Sequence, residues 1–209
     1  MLFQKAEDYF EDINENISSM LSNYNYFTFP SYFLYLKIER SLRMECEHSL
    51  YNPDDVLSEI EDDYIKNNTA QYIYLVMYKA IACYYSSKFD EAAKHLNNLL
   101  NNLTLKKYPF ASLEIKSVLA LQYCCMNDLD LFKQISSSIQ RQIRVLGKDS
   151  CDDILLFNKI LKIAVSNTKK DKRNKIIETF KQLNRTDKTR IFNPIRLIKI
   201  NDAFLENII

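Results

Sequence analysis

Few residues in this sequence are of types that do chemistry. It has two histidines, His48 and His95, and five cysteines, Cys46, Cys83, Cys124, Cys125 and Cys151. Cys46 and His48 are spaced like a fragment of a metal site. A zinc centre needs three or four ligands, however, and no second Cys/His pair lies nearby in sequence. His95 follows Lys94 near Glu91 on a helical stretch, an ordinary surface arrangement. Cys124 and Cys125 are adjacent and form no C-x-x-C pair, so they read as core or groove thiols rather than redox groups. A nucleophilic thiol needs a base beside it, and no Cys–His motif supplies one. The carboxylates Glu59, Glu61, Asp62 and Asp63 form an acidic run. Paired carboxylates do acid–base work or hold magnesium, but a solvated helix face is the commoner meaning, and an EF-hand needs a loop glycine that is missing here. The sequence therefore predicts no catalytic residue, no metal, no cofactor and no enzyme.

A second chemistry-bearing stretch is basic. Lys169, Lys170, Lys172, Arg173 and Lys175 are followed by Lys181, Arg185, Lys188, Arg190, Arg196 and Lys199. Such a run neutralises phosphates, with an affinity that falls steeply with salt. Only Phe180 and Phe192 lie near it, so base stacking is poorly supported. A solvated basic surface is the expectation, and nucleic acid is not an expected partner. The charge is nonetheless polarised. Residues 1–65 hold 4 Lys/Arg against 14 Asp/Glu, a net −10, and residues 66–209 hold 24 against 13, a net +11. The overall +1 hides an acidic front and a basic back.

The elements that must carry these residues are helices. The chain has 209 residues with 47% hydrophobic and 26% charged, a globular balance. One glycine, Gly147, leaves no glycine-rich phosphate loop, which excludes Walker-type and Rossmann-type nucleotide sites. No stretch reaches ~18 apolar residues, so no membrane partner is expected. The start turns acidic at once with no basic leader, and the odd set of cysteines reads as reduced thiols, so a cytoplasmic location is expected.

Apolar residues recur at helical spacing almost throughout. Phe3, Ala6, Phe10, Ile13, Ile17 and Met20 form one narrow seam opposite Glu7, Asp8, Glu11, Asp12 and Glu15. The seam docks on the same chain or on a second copy. Pro30 precedes a helix at about 31–49, and Pro53 opens another that ends near Asn67. Helices follow at about 70–86, from Phe89 to about Leu103, through Ala120–Cys125, and from Leu129 toward Gly147, which is placed as the left-handed residue past a helix end. Further helices are expected at about 152–166 and 172–184, and Pro194 opens a final one to the C-terminus. Ala80 and Ala120, Phe89 and Leu129, and Asp90 and Asp130 are each 40 residues apart. A period of this size means stacked helix hairpins. The expectation is one all-α domain of roughly ten helices over 1–209. Residues 1–68 pack on two hairpins at 69–146, and 147–209 supply a degenerate hairpin and a capping helix.

The two central hairpins resemble tetratricopeptide repeats (TPR). That pattern places a small residue in the first helix, a large one at the turn and a small one early in the second helix, so that the helices cross closely. Ala80, Phe89 and Ala92 match in the first hairpin, and Ala120, Tyr123 and Leu129 in the second. Phe132 stands where a small residue is expected, and the spacing of 40 exceeds the common 34. The resemblance covers about 70–146 and implies a TPR-like right-handed superhelix. Its concave-face positions would be Tyr74, Met77, Ile81, Tyr84 and Tyr85, then Glu114, Ser117, Leu121, Cys124 and Cys125. Lys, Arg and Asn are absent from this set, so no carboxylate clamp carries over. An apolar groove needs covering, either by the chain's own helices or by an apolar or helical partner.

The leading functional expectation is a non-enzymatic protein–protein interaction or scaffold module. Its partner is a protein or peptide, or a second copy in a homodimer. The alternatives are a helical domain that senses a peptide or small ligand in the groove, and a nucleic-acid-associated protein using the basic C-terminal third. An open groove favours the sensor, and a groove filled by residues 1–68 favours a scaffold acting through its outer surfaces.

Overall fold

In the computed structural model, the residues described are 5–13, 29–52, 69–166, 171–185 and 194–209. They comprise nine α-helices and no strand, close to the count the sequence suggests. The first, α1, covers residues 5–13. The others are α2 (Phe29–Arg43), α3 (Thr69–Tyr85), α4 (Phe89–Asn102), α5 (Pro109–Cys125), α6 (Leu129–Leu146), α7 (Asp152–Val165), α8 (Lys172–Leu183) and α9 (Asp202–Ile208). Short 3-10 turns cover Glu47–Leu50, Leu105–Lys107, Asp149–Cys151 and Pro194–Leu197.

The core is built from three antiparallel hairpins, α3/α4, α5/α6 and α7/α8, stacked in chain order. Within each pair the first helix is the more deeply buried. Helix α3 is buried at most of its positions, whereas α4 buries only Ala92, Ala93, Leu96 and Leu99 and α6 only Phe132, Ser136, Ile139 and Ile143. That spacing leaves the rest of α4 and α6 facing water. Helix α2 and the Glu47–Leu50 turn pack on α3 at the N-terminal side. This arrangement of stacked neighbouring hairpins is compatible with a helical-repeat fold.

The 40-residue period of the sequence is also a period of the backbone. Helix α3 ends with Lys88 N–H donating to Cys83 C=O at 2.9 Å, and α5 ends with Asp128 N–H donating to Tyr123 C=O at 2.9 Å. Between donor and helix sit Ser87 (φ 57°) and Asn127 (φ 56°), both left-handed. This closes each helix by a Schellman turn, usually made with glycine. The same closure ends α2, where Cys46 N–H donates to Ser41 C=O at 3.0 Å beside Glu45 (φ 56°). The helix expected over 31–49 therefore stops at Arg43, and its remainder is a 3-10 turn. Gly147 is not in the left-handed helical region expected of it. Its φ is 90° and its ψ 140°, and its N–H reaches back to Ile143 C=O at 3.0 Å. Here the chain leaves α6 in an extended direction toward Asp149–Cys151 instead of curling back.

The small residues of the repeat pattern are buried. Ala80, Ala92 and Ala120 have no exposed surface, Tyr123 is buried, and Phe89 and Leu129 are half-buried at the two turns. Polar pairs fix the stacking between hairpins. Asn97 Nδ2 donates to the Tyr123 hydroxyl at 2.8 Å, joining α4 to α5, and Ser136 Oγ donates to Asn158 Oδ1 at 2.9 Å, joining α6 to α7.

The first part of the N-terminal seam docks on the same chain. The Phe10 and Phe33 rings are 4.8 Å apart, the Arg40 guanidinium lies 4.4 Å over Phe10, and Arg40 pairs with Glu7 and Glu11. Phe3, Ile17 and Met20 lie outside the described residues, as do the helix expected after Pro53 and the acidic run from Glu59 to Asp63.

Candidate functional site

The positions predicted to line a groove lie on α3 and α5, and residues 194–209 of the same chain pack over them. Pro194 does not open one long helix. It starts a single 3-10 turn, and Asn201, extended at φ −118° and ψ −169°, begins a second element by accepting from Phe204 N–H at 3.0 Å. A side-chain cap followed by Asp202 is a strong helix start, and it breaks the segment in two. The resulting strap, residues 194–209, packs on α5, α7 and α2 and buries Ile195, Leu197, Ile198, Phe204, Leu205 and Ile208.

Tyr85 holds the strap at its middle. Its hydroxyl donates to Leu197 C=O at 2.7 Å and accepts from Lys199 N–H at 3.0 Å. Two residues of irregular backbone thus find partners on a side chain of α3, as buried polar groups must. The neighbouring Tyr84 lies by Asn207 on α9, whose side chain partly offsets the effect of its burial. Burial pushes both phenols up from their ordinary range. Lys199 Nζ pairs with Glu47 Oε1 at 3.1 Å, which pins the strap to the turn after α2.

The other groove positions follow. Met77, Ile81, Tyr84, Glu114, Ser117, Leu121 and Cys124 are buried, and Tyr74, Tyr85 and Cys125 are half-buried. The Ser117 hydroxyl donates to Leu113 C=O at 2.8 Å within its own helix. In this conformation the set forms an internal wall rather than an open cleft. Among the described residues, the covering comes from residues 194–209. Sequence reasoning missed the strap because its apolar residues keep no single helical period. The signal present was the density of Ile195, Leu197, Ile198 and Ile200 behind one proline.

Cys83, Cys124 and Cys125 are not poised as nucleophiles. Burial pushes the Cys83 and Cys124 thiols up to about 12 and raises Cys125 as well. Cys46 and His48 lie at the Glu47–Leu50 turn. Cys83 and His95, twelve residues apart in sequence, are brought together across the first hairpin turn with Glu91, their ligand atoms all within 4.8 Å of one another.

Part of the basic stretch is used internally. Lys172 Nζ donates to Ala164 C=O at 2.7 Å, closing the end of α7, and Arg173 pairs with Asp202. Lys175, Lys181 and Arg185 are exposed, and Lys169, Lys170, Lys188 and Arg190 lie outside the described residues. Two open surface depressions have charged linings. One is lined by Lys172, Arg173, Leu205 and Glu206, and the other by Lys133, Gln140, Arg141 and Arg144 on the outer face of α6. Among the described residues no helix is long and apolar enough to cross a membrane. No protein-family model, curated protein or solved structure matches the chain.

Proposed function

We propose that the protein is a TPR-like, non-enzymatic protein–protein interaction or scaffold module that engages partners through its outer surfaces. One observation carries this reading: residues 194–209 pack over the predicted groove positions, with Tyr85 bonded to the strap on both sides of Ile198. A face already covered by the chain leaves the solvent-facing sides of α4 and α6 for a partner. Both are amphipathic helices whose outer residues, Lys94 and Lys133 among them, are exposed. The buried small residues and the repeated hairpin closure support the TPR-like assignment.

The test is lysine cross-linking of the protein purified from its native source, with hydrogen exchange on the same complex. The expected outcome is a co-purifying protein cross-linked at Lys94 or Lys133, while the amides of 197–208 keep their protection. A partner that strips protection from those amides would overturn the outer-surface reading in favour of groove binding. A chain that elutes free of any partner would remove the scaffold reading.

A further inference from the structure

We propose that Cys83, Glu91 and His95 form a zinc-binding site across the α3/α4 hairpin. The three side chains come from two helices and offer a thiol sulfur, a carboxylate oxygen and an imidazole nitrogen, all within 4.8 Å of one another. Zinc bonds of about 2.0–2.3 Å put tetrahedral ligands about 3.5 Å apart. The set therefore needs to close by at most about 1.3 Å, within reach of rotamer adjustment. Glu91 and His95 are four residues apart on α4, so they share one face, and Cys83 reaches them from the last turn of α3. The Schellman turn around Ser87 sets this approach.

The donor chemistry selects the ion. Thiolate with imidazole suits zinc, and hard oxygen-seeking cations are disfavoured. On binding, Zn²⁺ displaces the thiol proton of Cys83 to solvent and bonds the neutral imidazole of His95. Thiolate and carboxylate then balance the dication, so the buried sulfur carries no uncompensated charge. Three protein ligands leave a fourth position for water.

Other groups around the site fit this role. The Tyr51 hydroxyl donates to the Glu91 carboxylate at 3.2 and 3.3 Å and accepts from Lys88 Nζ at 2.7 Å. Such outer partners orient a ligating carboxylate. Lys88 Nζ also lies 3.7 Å from Glu91 Oε2, and Asp90 and Lys79 complete the charged surroundings. The Tyr51 bond gives Lys88 an alternative to the carboxylate when the cation enters.

The experiment uses the full chain, reduced and stripped of metal, titrated with Zn²⁺ by calorimetry and with Co²⁺ by absorption. One equivalent of each should bind, and cobalt should show a thiolate-to-metal charge-transfer band. Cys83→Ser should abolish the band, His95→Gln should weaken zinc at least tenfold, and Tyr51→Phe should weaken it about tenfold. Circular dichroism checks that each variant is folded. If Cys83→Ser fails to fold, His95→Gln, at a half-buried surface position, decides. Absence of zinc binding by the wild type overturns the site. So does binding without a thiolate band, or binding that His95→Gln leaves unchanged, which would place the ion elsewhere, such as at Cys46 and His48.

Discussion

Single positions in this protein test the backbone as sharply as the core. Ser87 sits at φ 57° with a Cβ, where an L residue is disfavoured by about 1–2 kcal/mol. Glycine removes that strain and returns about 0.4–1 kcal/mol to the unfolded chain. Ser87→Gly should therefore raise stability by about 0.5–1 kcal/mol in urea unfolding, and Asn127→Gly by less, because asparagine tolerates this region better. Gly147 predicts the opposite sign. A Cβ there would meet nothing within 4 Å, so crowding is not the constraint, but φ 90° is. Gly147→Ala should cost about 1–3 kcal/mol through backbone strain alone. Equal unfolding midpoints for Ser87→Gly and wild type would show that the turn is relaxed. Ala92 of α4, with no exposed surface, is the packing counterpart. Ala92→Leu should cost about 1–3 kcal/mol by forcing the helices apart, and a melting temperature equal to wild type would count against a tight crossing.

Between elements, the α3/α4 and α5/α6 hairpins were legible in the sequence because helical spacing, small residues and a fixed period all agree there. The strap was not. Ile195, Leu197 and Ile198 have no helical register, and what makes them core is a surface of α2 and α5 that sequence places seventy or more positions away. The zinc ligands were hidden for the same reason. Cys83 and His95 look unrelated until the hairpin folds. The end of α2 was misjudged because its closure uses Glu45 in place of glycine, so no residue type marks it. Tyr85 makes the strap testable. Tyr85→Phe removes one hydroxyl and leaves Leu197 C=O and Lys199 N–H without that partner. It should destabilise by about 1–3 kcal/mol, with the loss of protection concentrated in the amides of 197–208. Uniform loss across the hairpins would mean that the strap and hairpins unfold as one unit.

At the scale of the whole molecule, the acidic front and basic back meet within one chain. Glu47 of the front pairs with Lys199 of the back, and the seam residue Phe10 stacks on Phe33. These contacts spend part of the charge and apolar area that a second copy would otherwise use. In the metal-free protein, burial holds several thiols and phenols in their protonated forms. Cys83 and Cys124 are pushed up to about 12 from 9.0 by burial, Cys125 is raised too, and burial raises Tyr84 and Tyr85 above 10.0. Each folded value lies above its unfolded one, so the folded state binds more protons once the unfolded thiols ionise. Stability from these groups is complete below pH 9 and falls as pH rises toward 12. Each thiol removes about 1.4 kcal/mol per pH unit in that window. Urea unfolding of the reduced, metal-free protein should show a midpoint dropping steeply between pH 9 and 10.5, and Cys124→Ala should flatten the slope by about one proton. A midpoint unchanged over that range would mean that the three thiols ionise as easily in the folded chain as in the unfolded one. The α5 surface around Cys124 and Cys125 would then be open to water, and the strap would not seal it.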